Sequence, residues 1–143
     1  MRVSTMMRRG ARTVAPKATV ADIARIMTEL DVGVVPVVDD DRLVGMVTDR
    51  DLALRAIPKM EKGAALTAQD IMSPKAVFCH ADDRIEEAIH RMEAHGIRRV
   101  PVLDGQDRVV GMLSMGDIVH CNGKASLTMQ LLSAVSGHHP NHA

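Results

Sequence analysis

Two tandem β-α-β-β-α repeats, an α/β (α+β) architecture followed by one further helix, are what this sequence predicts. The first observation is a duplicated block. Val34-Val35-Pro36-Val37-Val38-Asp39 runs into Arg42-Leu43-Val44-Gly45-Met46-Val47-Thr48-Asp49-Arg50-Asp51-Leu52. Sixty-five residues later, Arg99-Val100-Pro101-Val102-Leu103-Asp104 runs into Arg108-Val109-Val110-Gly111-Met112-Leu113-Ser114-Met115-Gly116-Asp117-Ile118. The second is an apolar stripe at helical spacing that recurs in register: Val20, Ile23, Ala24 and Met27, then Ile85, Ala88, Ile89 and Met92. The third is that each Val-rich run is followed after a short polar turn by a second apolar run, which reads as a hairpin. A repeat at fixed offset determines the architecture before any single element does.

The elements follow in order. Residues 1–12 are basic and irregular, with Arg2, Arg8, Arg9 and Arg12, and Thr13-Val14 is a short extended piece. Pro16 and Thr19 precede an amphipathic helix whose buried face carries Val20, Ile23, Ala24, Met27 and Leu30. Residues 34–38 form a buried strand in which Pro36 must sit where no ladder N–H is needed. Asp39-Asp40-Asp41 turns the chain, residues 43–48 form the second strand, and Thr48 or Asp49 caps a helix over 51–57. Residues 58–65 are a linker. Thr67-Ala68-Gln69-Asp70 is a capping box that opens the second copy. Its hairpin turn, Asp104-Gly105-Gln106-Asp107, is one residue longer than its counterpart, and residues 116–121 form the closing helix. Leu127, Met129, Leu131, Leu132 and Val135 belong to a last, apolar helix, and residues 137–143 to a frayed tail. The domain boundaries expected are 1–62 for the first repeat with its basic arm, 63–123 for the second, and 124–143 for the helix and tail. A three-stranded unit of this size cannot bury both surfaces alone. Two packed with pseudo-twofold symmetry can, leaving a cleft at the junction where ligand sites prefer to lie.

Composition excludes several functions. Lys and Arg number 18 and Asp and Glu number 18, and the first 65 residues carry 11 and 9 of them, so neither half offers a nucleic-acid or membrane surface. One Phe, no Trp and no Tyr leave no stacking platform for single-stranded nucleic acid. Eleven Met partly replace the missing bulk. Cys79 and Cys121 allow a disulfide, but two separate buried thiols are expected in an apolar chain with no signal-peptide stretch, and the expected compartment is the cytoplasm. His138, His139 and His142 have no Cys or carboxylate partners at ligand spacing, and His80, His90 and His95 read as surface, so no metal site is expected. No nucleophile-base motif, P-loop or paired acids support an enzyme.

The block from Pro36 through Gly45 to Thr48-x-x-Asp51, repeated as Pro101, Gly111 and Ser114-x-x-Asp117, resembles a pair of CBS domains, a Bateman module, over about residues 5–121. The short linker and added helix look most like small stand-alone CBS-pair proteins. The resemblance implies a regulatory sensor of adenosyl ligands such as AMP, ADP, ATP or S-adenosylmethionine, with no obligatory cofactor. It implies that Asp51 and Asp117 accept hydrogen bonds from both ribose hydroxyls, while Thr48 and Ser114 hold phosphate or ribose. The residue types suit this: a carboxylate takes a diol, and the start of a helix favours an anion. Val32-Gly33 and Ile97-Arg98 provide the adenine slot. Family modules also border one repeat's site with the other's first strand, which brings the segment ending at Arg12 to the Asp117 site and the segment ending at Val77 to the Asp51 site.

The two sites are unequal. The residue three before the Pro is Gly33 in one copy and Arg98 in the other, so the Asp117 site is expected to be the better phosphate binder. Plainer readings stand beside these. Asp51 and Asp117 also serve as helix N-terminal charges, stabilising by less than about 1 kcal/mol, and the arginines of the arm also fit a solvated surface. A ligand-free dimeric scaffold that recruits a partner through its Met-rich surface and last helix is the alternative to ligand sensing. Family modules commonly pair through their helices, so a homodimer and an unidentified regulated protein are the partners expected.

Overall fold

The computed structural model describes residues 1–63, 65–74 and 76–122. In chain order these form α1 (Val3–Met6), β1 (Arg8–Arg9), α2 (Val20–Leu30), β2 (Val34–Asp39), β3 (Arg42–Thr48), α3 (Asp49–Asp51), a π-helical stretch (Leu52–Ala56), α4 (Ile57–Met60), α5 (Ala68–Ile71), β4 (Cys79–His80), α6 (Ile85–His95), β5 (Arg99–Leu103), β6 (Val109–Ser114) and α7 (Met115–Asn122). The expected last helix and His-containing tail, with the expected 124–143 segment, lie outside the described residues, as does the Cys121 side chain.

Both duplicated blocks are antiparallel hairpins with a bulge at the same place, between Val37 and Val38 and between Val102 and Leu103. The shorter hairpin turns through Asp40 and Asp41, both at positive φ (48° and 61°), a conformation that Asp tolerates better than most residues. The longer one is closed by Asp104, whose Oδ1 accepts the N–H of Gln106 at 2.9 Å and of Arg108 at 3.0 Å. Pro36 is accommodated because its carbonyl side faces only the short Val14 bridge: Val14 N–H donates to Pro36 O, and Val38 N–H to Val14 O. That partner ends there, so no ladder donor is lost.

The chain divides into two compact units. One comprises residues 1–11 and the chain from 77 onward; the other comprises residues 12–76. In the first, the sheet order is β1-β6-β5-β4, with Arg8 opposite Met112 and Cys79 parallel to Val102. In the second, the hairpin β2–β3 is flanked by the Val14–Val37 bridge on one side and the Met46–Ser73 bridge on the other. Each hairpin thus gains a strand-like segment that precedes the other repeat in sequence. The 65-residue offset covers these segments too: Val3, Met6, Met7 and Arg8 correspond to Ala68, Ile71, Met72 and Ser73.

This overturns the irregular reading of residues 1–12. Val3 is fully buried and Met6 nearly so, in a core with Ile85, Ile89, Met92, Val100, Leu113 and Ile118. Val3 N–H donates to Asp83 O at 2.9 Å, and Ile85 N–H to Met1 O at 2.9 Å. Likewise the turn at Ala68–Ile71 fills the core of Ile23, Met27, Val35, Val37 and Val47 in the 12–76 unit. Its Asp70 accepts from Thr67 N–H at 2.9 Å, in the expected capping box. The repeat's two glycines exist for these contacts. A Cβ on Gly111 would lie 2.5 Å from Arg8 O, and one on Gly45 would lie 2.5 Å from Met72 Sδ and 2.9 Å from Ser73 O.

Two further expectations change. Leu30 is 49% exposed, because it is in the last turn of α2, beyond the core; Ile26 is buried on that face. The helix after Thr48 runs to Met60 rather than ending at 57, and so takes in the start of the expected linker. Pro58 within it has no N–H to give, and the preceding turn widens, with Ile57 N–H donating to Leu52 O. His80 is at the surface as expected, half-exposed, with its ring 3.1 Å from Asp107 Oδ1. Cys79 is a buried free thiol, and burial pushes its pKa up to about 12, which makes it unreactive.

Candidate functional site

Thr48 and Ser114 end their strands at the point where a helix begins. Thr48 Oγ1 accepts the N–H of Asp51 at 3.1 Å, and Asp51 Oδ2 accepts the N–H of Thr48 at 2.8 Å. Ser114 and Asp117 repeat this pair at 3.1 and 3.0 Å. The hydroxyl-x-x-Asp motif is therefore a reciprocal capping box. It also determines the carboxylate's orientation: Oδ2 is spent on the cap, and Oδ1 is left for another donor. Asp51 and Asp117 are 9% and 8% exposed, the buried charged residues of the described chain.

The expected adenine-slot residues lie against these caps. Asp49 N–H donates to Gly33 O at 2.9 Å, and Met115 N–H donates to Arg98 O at 3.0 Å. Val32 and Gly33 are thereby held beside Thr48 and Asp51, and Ile97 and Arg98 beside Ser114 and Asp117, all four partly or fully accessible. Ile97 and Val77 also pack on the core of the unit that contains Asp117. Arg98 is exposed, immediately before β5.

The caps differ in what approaches Oδ1. At Asp117, Arg8 Nε donates to Oδ1 at 2.9 Å. At Asp51, Arg55 Nε comes from the next helical turn and stops at 3.7 Å, an ion pair without a hydrogen bond. Ser73 holds the position that corresponds to Arg8. A second difference is Asp49, whose carboxylate lies against Gly33, where a Cβ would be 3.0 Å from Oδ2. The second copy has Met115 there and a cation at Arg98. Sequence reading grouped Arg8 with Arg9 and Arg12 and took Asp49 only as an alternative to Thr48 for the helix cap, which is Thr48; the signal for its charge was Asp against Met directly after the hydroxyl residue. Arg12 belongs to the 12–76 unit and lines a cavity of about 300 Å3 with Asp22, Arg25 and Glu29.

Burial pushes the Asp117 carboxyl up, but the Arg8 hydrogen bond and charge and the hydrogen bonding with Ser114 outweigh it, so the group titrates below the usual carboxylate range. The unfolded chain then binds the proton more readily than the folded one. The stability contributed by ionised Asp117 is complete above the unfolded value, near 3.9, and is lost as pH falls through the folded value. We expect Asp117→Asn to flatten the acid limb of stability. Urea midpoints measured between about pH 6 and pH 3 should converge with wild type at the acid end. Parallel curves would show that Asp117 does not hold this charge.

Among the described residues no cluster of three or more His, Cys, Asp or Glu could hold a metal ion, and no helix is long and apolar enough to cross a membrane.

Comparison with known proteins gives the fold its family. The sequence model of the CBS domain matches residues 3–57 and 68–122. The CBS domain-containing protein YhcV of Bacillus subtilis is 37% identical over 106 residues, 74% of each chain. A crystal structure of Hypoxic Response Protein I with two coordinated zinc ions has a TM-score of 0.71 at 33% identity, over 84% of this chain and 98% of that one. Two further structures hold adenosyl compounds. CBSX2 in complex with AMP has a TM-score of 0.74 at 26% identity, over 90% of this chain and 98% of that one. The CBS domain pair of protein MJ0100 in complex with 5'-methylthioadenosine and S-adenosyl-L-methionine has a TM-score of 0.73 at 25% identity, over 86% and 96%. With both of its repeats matched, this chain belongs to the CBS domain family.

Proposed function

We propose that the protein is a regulatory module that senses an adenosyl ligand (AMP, ADP, ATP or S-adenosylmethionine) and has no catalytic role of its own. The observation that carries this reading is the divided carboxylate of Asp51 and Asp117. Each is buried and held by its cap through Oδ2, with Oδ1 outside the cap. A ribose diol needs a fixed acceptor of that kind. The neighbouring backbone at Val32-Gly33 and Ile97-Arg98 suits an adenine edge, and Thr48 and Ser114 stand at the helix starts where an anion is favoured. Similar chains bind AMP, 5'-methylthioadenosine and S-adenosylmethionine. Asp49 beside the first site and Arg98 and Arg8 beside the second support unequal charge preference, with the more anionic ligand at Asp117.

The same reading places the protein in the cytoplasm as a homodimer acting on a regulated partner. Leu54, Ile57 and Met60 are exposed along the helix after Thr48, an apolar face that suits a second subunit and equally suits the scaffold alternative. Thermal melting separates the two. With AMP, ADP, ATP or S-adenosylmethionine at a hundred times Kd, stability rises by about 2.7 kcal/mol, a shift of several degrees in Tm. If none of the four moves Tm, the scaffold reading replaces this one.

A further inference from the structure

Resting on the reading of Asp117 as a ribose holder, the geometry points to a selection device built from the N-terminal strand. Both oxygens of Asp117 are engaged: Oδ2 by the cap and Oδ1 by Arg8. The backbone of Arg8 is fixed by its ladder with Met112, yet its side chain is 83% exposed. The guanidinium can therefore swing by side-chain torsions alone, without disturbing the strand. A ribose diol on Asp117 competes with it directly, because the guanidinium sits on the oxygen the cap leaves over. At Asp51 the corresponding residue is Ser73, and Arg55 stops short of hydrogen-bond distance, so the same competition is absent.

We propose that Arg8 is a phosphate-selective latch on Asp117. It holds Oδ1 in the empty protein, leaves when a ribose takes the carboxylate, and regains a partner only when the ligand carries phosphate. A neutral adenosyl compound without an anionic group, such as 5'-methylthioadenosine, displaces the guanidinium and offers it nothing. A nucleotide carries its phosphate on the same ribose and gives it a charge-assisted, bidentate acceptor. The latch thus discriminates by penalising one ligand class as well as favouring the other.

The experiment is calorimetric titration of the full chain carrying Asp51→Ala, so that the Asp117 site is read, with 5'-methylthioadenosine and with ADP. Adding Arg8→Gln should tighten 5'-methylthioadenosine by about two- to fivefold, the range of an exposed ion pair. It should weaken ADP by about tenfold, the loss of one charge-assisted hydrogen bond. Arg8→Lys should recover part of the ADP affinity. Equal changes for both ligands, or no change for either, overturn the latch. Asp117→Ala distinguishes that failure from failure of the underlying reading. If it abolishes binding while Arg8→Gln moves both ligands alike, only the latch falls. If it leaves binding intact, or if neither ligand binds, the ribose assignment falls and the latch with it.

Discussion

Removing residues 1–9 is expected to unfold the compact unit around Asp117, an outcome opposite to that of trimming a solvated arm. The deletion takes Val3, Met6 and Met7 from a core in which all three are almost wholly buried. Burial of such side chains contributes about 1.5–3 kcal/mol each, so the loss is about 5 kcal/mol or more before the exposed edge of β6 is counted. Small domains are stable by about 5–15 kcal/mol. Urea denaturation followed by circular dichroism should show this unit unfolding at much lower denaturant, or unfolded from the start. A midpoint within a few tenths molar of the full chain would mean that α1 and β1 do not pack as described.

The second large effect is on ligand affinity. Asp51→Ala is expected to weaken binding at its site by about a hundredfold, the loss of two charge-assisted hydrogen bonds from a ribose. Its stability cost is modest, about 0.5–2 kcal/mol, since one of the two hydrogen bonds of the capping box is lost while Thr48 still caps the helix. Asp51→Asn is the informative companion. An amide oxygen still accepts the Thr48 N–H, so stability should return towards wild type, while the second oxygen needed by the diol is replaced by a donor. Affinity should therefore remain low. If Asp51→Asn binds AMP as wild type does, the residue serves the helix cap and not a ligand. A calorimetric titration beside a denaturation curve reads both quantities on the same protein.

The residues that state the motif were legible because they are local. Thr48 and Asp51, like Ser114 and Asp117, are three apart, and a capping box needs nothing beyond that spacing. The hairpins were legible for a similar reason, since each joins two neighbouring apolar runs across a short polar turn. The first eleven residues were not legible. Their charges, at Arg2, Arg8 and Arg9, dominate the composition, while only Val3, Met6 and Met7 reveal the buried side. Their correspondence with Ala68, Ile71 and Met72 is hidden by two changes of apolar residue, with only Met7 and Met72 identical. Pro58 signalled the end of a helix by its missing N–H. A widened turn absorbed the defect, an option that depends on the packing around it and leaves no trace in the sequence.

The sequence by itself determined the repeat, the two hairpins, the helical stripes and the two capped aspartates, because each depends on residues within one turn or one strand pair. Only the tertiary structure decided which hairpin receives each leading segment. It also placed Arg8 on Asp117 while Ser73 takes the equivalent place near Asp51. The two members of that ion pair are 109 residues apart, and their meeting depends on burying Val3, Met6 and Met7. Two caps of one design thus differ in the cation that faces them, and long-range burial of apolar side chains, rather than the repeated motif, sets that difference.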